Sequence, residues 1–98
     1  MTKYIFDRNE FVNYEEFYTL MQKKMNLPEW FGKNPSALWD MLTGYIEFPC
    51  KIVLVGFGKE INDKDKLQID YILNVFREVE KQYPNEFKVE YKYRIEEF

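Results

Sequence analysis

Histidine is absent from this 98-residue chain, and cysteine occurs once, as Cys50. Without histidine the chain lacks the usual general base, the usual partner of a serine or cysteine nucleophile, and the commonest metal ligand. A lone cysteine excludes a disulfide framework and a zinc-type ligand pair, and suits a reducing compartment. Glycine and proline are sparse, at four each, and no low-complexity stretch marks a linker or a disordered tail. No apolar run approaches bilayer length, and the opening residues Met1 to Asp7 lack the apolar core of a signal peptide, so the cytoplasm is the expected location and no membrane partner is expected. An excess of positive charge is also missing. With 14 basic and 17 acidic residues the net charge is -3 and the isoelectric point about 5.0. Direct binding to nucleic acid needs a basic surface to displace counterions, so a basic protein is the easier partner to envisage.

What the chain has is apolar mass. Hydrophobic residues make up 46% and aromatics 19%, enough for one core in a chain of this size, so residues 1–98 are read as a single domain. Lys3 to Asp7 is short and β-prone, and polar Arg8, Asn9 and Glu10 lead out of it into a loop. From a plausible N-cap at Asn13, Tyr14, Phe17, Tyr18, Met21 and Met25 recur at helical spacing, which predicts a helix over 14–25. Pro28 and Gly32 interrupt it with a structured loop. Asn34-Pro35 restarts a helix over 35–43 that Thr43-Gly44 ends. Cys50 to Val55 is almost continuously apolar, the pattern of a central strand. Polar residues run from Gly56 to Lys66. A third helix then carries Leu67, Tyr71, Ile72, Leu73, Asn74, Val75, Glu78 and Val79 and stops before Pro84. Val89, Tyr91, Tyr93 and Ile95 alternate with charged residues and predict a last strand with one buried face. Helices between successive strands imply a parallel sheet, and a two-layer α/β fold with the helices on one face is the simplest solution.

Several chemical motifs reduce to plain structure. Gly56-Phe57-Gly58 follows a strand but lacks the third glycine of a dinucleotide fingerprint, so it reads as a turn. Asn62 to Lys66 alternates carboxylates without the glycine and terminal glutamate of a calcium loop, and reads as a solvated loop. Cys50 has no cationic neighbour in sequence and is expected to be buried and inert. Glu29, Asp40 and Glu47 leave a small acid-based hydrolase open, although surface acids are the simpler reading.

Leu27 to Pro49 is more specific than any of these. Its Leu-Pro-Glu-aromatic-aromatic-Gly-x-Asn stretch, followed by Ala-Leu-Trp-Asp-x-Leu-Thr-Gly-aromatic, closely resembles the signature of the barstar family of intracellular ribonuclease inhibitors. A weaker likeness continues at Val75 to Glu78, and the order of elements is similar over nearly the whole chain. The resemblance implies three parallel strands in the order 1-2-3. It also implies a function without catalysis or cofactor, in which the loop and second helix plug the active site of a basic extracellular or toxin-type ribonuclease. Carboxylates would then occupy the places of RNA phosphates, in a complex of one monomer with one enzyme. By the same resemblance Asp40 matches the dominant interface acid, Trp30 an interface aromatic and Glu78 a peripheral acidic contact. Gly32, Asn34, Trp39, Thr43 and Gly44 match or neighbour the binding surface. Ser36 stands where the family pattern has a second aspartate, Lys33 where it has a glutamate and Tyr45 where it has a tryptophan. Ser36 and Asp40 are four apart and so share one helix face. A barstar-like adaptor or immunity protein for a different basic protein, such as another nuclease toxin, is the alternative.

Overall fold

A computed structural model describes residues 1–57 and 63–92, with side chains in the second stretch described from residue 65 onward. Three strands and three α-helices alternate along these residues: β1 (Thr2–Asp7), α1 (Tyr14–Lys24), α2 (Pro35–Gly44), β2 (Cys50–Val55), α3 (Asp63–Gln82) and β3 (Phe87–Lys92). The sheet is parallel in the order β1-β2-β3, with Thr2 opposite Cys50 and Cys50 opposite Phe87. This is the two-layer α/β arrangement that the sequence predicts.

The apolar run of β2 occupies the centre, where each side chain has a strand on both flanks. Phe6, Cys50, Ile52, Leu54 and Phe87 join the buried side chains of the helices in one core. The period of two sends Val53 and Val55 to the other face, and they too are buried, at 0% and 3% exposure. Glu90, the register partner of Val53, bridges Lys51 at 2.8 Å and Lys92 at 3.3 Å on that face. Hydrogen bonds from the two lysines hold the Glu90 carboxyl below its ordinary pKa. Cys50 is fully buried, and burial pushes its thiol up to about 11, which leaves it uncharged and inert as expected.

The caps explain where helices start. Asn13 accepts the Glu16 N–H at 2.9 Å and Asn34 accepts the Ala37 N–H at 2.8 Å, each satisfying a backbone donor of the first turn. Five expectations change in detail. Arg8–Glu10 forms a 3-10 turn, because Asp7 and Glu10 cap it reciprocally. Helix α1 ends at Lys24, with Met25 as its cap. Gly44 lies within α2, and Tyr45 is the cap. Helix α3 starts at Asp63, so the residues from Asp63 to Lys66 are its first turn; the Asp65 carboxylate accepts the Tyr14 N–H at 3.3 Å and ties α3 to the start of α1. On β3, Tyr91 is 51% exposed because the strand is an edge, while Phe87 is buried and Val89 partly so. Tyr93 and Ile95, like Gly58 and Asn62, lie outside the described residues.

Gly56 leaves β2 with φ +77°, and among the described residues a Cβ there would meet only the Arg8 Cβ, at an ordinary 3.6 Å. Space is therefore not the constraint. Gly56→Ala is expected to lower stability by about 1 to 2 kcal/mol through backbone conformation alone. Urea denaturation would reveal this as a lower midpoint at unchanged slope, and an unchanged midpoint would contradict it.

Candidate partner-binding surface

The surface starts where α1 stops. Asn26 takes a left-handed conformation, φ 53°, its N–H bonds to the Lys23 carbonyl at 3.4 Å, and the Leu27 N–H reaches the Gln22 carbonyl at 2.9 Å. This is a Schellman termination with asparagine in the position that glycine usually takes, and Leu27, 7% exposed, is the buried residue that accompanies it. The Gln22 side chain then donates to the Pro28 carbonyl at 2.8 Å, and a turn closes with the Phe31 N–H on that same carbonyl at 3.0 Å.

The turn separates two neighbouring aromatics. Phe31 goes inward, 5% exposed, with its ring edge-on to Tyr18 at 6.0 Å between centroids. Trp30 goes outward and is 73% exposed. A bare indole of this size on a structured turn suits an interface anchor, because few rotatable bonds must be fixed when it docks.

Gly32 and Asn34 shape the entry to α2. A Cβ on Gly32 would crowd the Asn34 amide at 3.2 Å and the Ala37 Cβ at 3.3 Å, and the Asn34 amide donates to the Gly32 carbonyl at 3.2 Å. Asn34 thus both caps α2 and fastens the loop. Along α2, Leu38, Met41 and Leu42 turn into the core while Ser36, Asp40 and Gly44 are exposed. The spacing argument for Ser36 and Asp40 agrees with this placement. Among the described residues the Asp40 carboxylate makes no ion pair and no hydrogen bond. Trp39 is half-buried against the core, and the Thr43 hydroxyl donates to its carbonyl at 2.8 Å. Tyr45 is 48% exposed, and its hydroxyl leans to the Asn26 carbonyl at 3.4 Å, closing the segment onto its own start.

The stretch from Trp30 to Tyr45 thus carries exposed Trp30, Asp40 and Tyr45, with the acids Glu29 and Glu47 exposed just beyond its two ends. Glu78 comes from a different element. It lies on the solvent side of α3, the helix against which α2 packs, with a loose 3.8 Å contact to Lys81 that contributes little. The family model described as Barstar (barnase inhibitor) covers residues 1–96.

The chain belongs to the barstar family. A Bacillus subtilis (strain 168) protein named "Putative ribonuclease inhibitor YrdF" is 34% identical over 89 residues, which span 91% of this chain and 97% of that protein. In this barstar-family chain one departure takes a direction that the sequence does not reveal. Lys33, at φ 51°, folds back so that its ammonium lies 3.3 Å from the Thr19 hydroxyl on α1. Gln22, Thr19 and Tyr18 all support the loop from beneath, and none was expected to. Asn26, of a residue type that tolerates the left-handed conformation at a helix end, is the signal that could have pointed to the turn they brace. Outside the site, Leu67 and Tyr71 are 56% and 46% exposed, on the same outward side of α3 as Glu78. No described helix is long and apolar enough to cross a membrane.

Asn34→Ala removes both the cap and the tie to Gly32. The expected loss is about 1 kcal/mol of stability, in line with other helix N-caps. Chemical denaturation measures it, and a serine at the same position should recover most of the loss.

Proposed function

We propose that this chain is a protein inhibitor of a basic ribonuclease. The observation that carries the reading is the exposed carboxylate of Asp40 on the outer face of α2, unpaired among the described residues, on the same chain segment as the exposed indole of Trp30. Membership of the barstar family and the name of the Bacillus relative support it. Asp40 enters the enzyme's cationic cleft where an RNA phosphate would sit, and Trp30 covers the rim and excludes water. Nothing in this mechanism requires a bond to be made or broken. The inhibitor acts as a single domain in the cytoplasm, as a monomer bound to one enzyme, and keeps RNA from a cleft it already fills. Gly32, Asn34 and Thr43 hold this surface in shape, while Ser36, Trp39, Gly44, Tyr45 and Glu78 complete its outline. At Ser36 no carboxylate is available, and a hydroxyl cannot supply the same charge-assisted hydrogen bonds. The enzyme it fits therefore differs in that part of its cleft from one built for two aspartates.

RNA cleavage by basic microbial ribonucleases, including any encoded beside this gene, should fall linearly with added chain and vanish at one inhibitor per enzyme. Asp40→Ala should weaken the complex by about 2 to 5 kcal/mol, a range that itself derives largely from barnase–barstar charge pairs, and Glu47→Ala by much less. Full activity in every titration, or equal small losses for the two variants, would overturn the reading.

The charges also set the kinetics. A chain of net charge -3 approaching a basic enzyme is steered by a field that ions screen. Stopped-flow association should slow several-fold between low and physiological salt while dissociation changes far less. A rate of association indifferent to salt would remove steering from the mechanism.

A further inference from the structure

Among the described residues the sheet ends on β1 and on β3, and at each edge a helix lays a side chain on the outward backbone. On β1 the Thr2 N–H bonds to the Pro49 carbonyl, so even-numbered residues face β2 and odd-numbered ones face out. The outward Ile5 carbonyl is taken by the Lys24 ammonium of α1 at 2.6 Å, and the outward Asp7 N–H by the Glu10 carboxylate at 2.9 Å. On β3 the Glu86 and Lys92 carbonyls accept from Cys50 and Gly56 at 2.9 and 2.8 Å, which turns the backbone groups of Phe87, Val89 and Tyr91 outward. The Phe87 N–H returns to the Tyr83 carbonyl at 2.9 Å. At the middle of this edge the Val89 N–H donates to the Glu80 carboxylate of α3 at 2.8 Å.

An open strand edge is a template for another strand, and a charged side chain laid across it is one way to close it. The β3 edge is suited to pair with itself. About a twofold axis at Val89, an antiparallel second copy would set Val89 opposite Val89, Phe87 opposite Tyr91 and Lys88 opposite Glu90. Each positive charge then meets a negative one. Centred on Glu90 instead, the pairing would oppose Glu90 to Glu90 and Lys88 to Lys92, and like charges directly opposite are destabilising. Of the registers within Phe87–Lys92, the one centred on Val89 gives the longest overlap with opposite charges facing. Its central pair of bonds needs the Val89 N–H, the donor that Glu80 already holds.

We propose that Glu80 guards this edge: by holding the Val89 N–H it keeps β3 from pairing with β3 of a second copy of the chain. Without it the sheet continues across two copies as six strands. The matching contact of Lys24 on the Ile5 carbonyl at the opposite edge supports a protective role for such side chains in this fold. The inference does not depend on what the chain inhibits, since it concerns the chain's contact with itself.

Sedimentation equilibrium of the full chain tests this. Glu80→Ala and Glu80→Ser are too short to reach the strand. Both should dimerise with a Kd about ten- to a hundredfold below that of the wild type, since each of the two copies releases one hydrogen-bond donor. Glu80→Gln keeps an acceptor in place and should behave as the wild type does. Lys88→Glu, at an exposed position, should return Glu80→Ala to the monomer by setting acid against acid. Amide hydrogen exchange at Val89 separates pairing from loosening: in Glu80→Ala it should be fast in dilute solution and slow in the dimer. If folded Glu80→Ala and Glu80→Ser stay as monomeric as the wild type, the proposal is overturned. A dimer in which the Val89 amide still exchanges fast, or one that survives Lys88→Glu, overturns it too. A guard leaves the fold intact, so failure of both short variants to fold would make Glu80 a residue of the core structure and not of the edge.

Discussion

The burial of Phe31 against Tyr18 decides which way the segment between α1 and α2 faces. Adjacent residues in a tight turn cannot both point inward, so seating Phe31 in the core exposes Trp30. Everything outward of that ring follows from it. The chain leaves α1 through the left-handed Asn26, is fastened by Gln22 at Pro28, and reaches Asn34 in position to cap α2. Asp40 is then delivered to solvent by helical period alone. Weaken the Phe31 contact, and the loop, the cap and the angle of α2 all lose their reference.

Much of this was legible in the sequence. The apolar run of β2 required neighbours on both sides, and it is central; Asn13 and Asn34 stood before helical patterns, and both are caps. The segment from Leu27 to Pro49 carried a spacing specific enough to indicate the family. The failures have physical causes. Helix α3 begins four residues before its first apolar residue, Leu67, and a first turn made of Asp and Lys has no hydrophobic period to detect. The end of α2 was misread at Gly44 because a glycine in an exposed helical position looks, in sequence, like a glycine that terminates one. Tyr91 fits the alternation of a buried face yet stays half exposed, since alternation does not say which strand is an edge.

Within the candidate surface, sequence offered residues but not their directions. Trp30 and Phe31 are interchangeable in a pattern of aromatic next to aromatic. Lys33 is the clearest case: its place in the loop pattern says nothing of where the side chain goes, and it crosses to α1, where its ammonium reaches the Thr19 hydroxyl. Its meaning depends on Thr19 and Tyr18, which are near in space and far in sequence. Long-range neighbours of that kind are what a one-dimensional pattern leaves out.

The register of the sheet bears on how this molecule is made. Thr2 pairs with Cys50, and Cys50 with Phe87, so every rung of the ladder joins residues 48 or 37 positions apart, and the sheet can offer no local nucleus. Helices can flicker into being on a growing chain, but β1 waits for a partner until β2 has been synthesised. The first of these long closures is the very stretch that carries Trp30 and Asp40. Closing the first rung also fixes the two ends of that stretch, so a nascent or partly unfolded chain has the residues of the candidate surface without their arrangement.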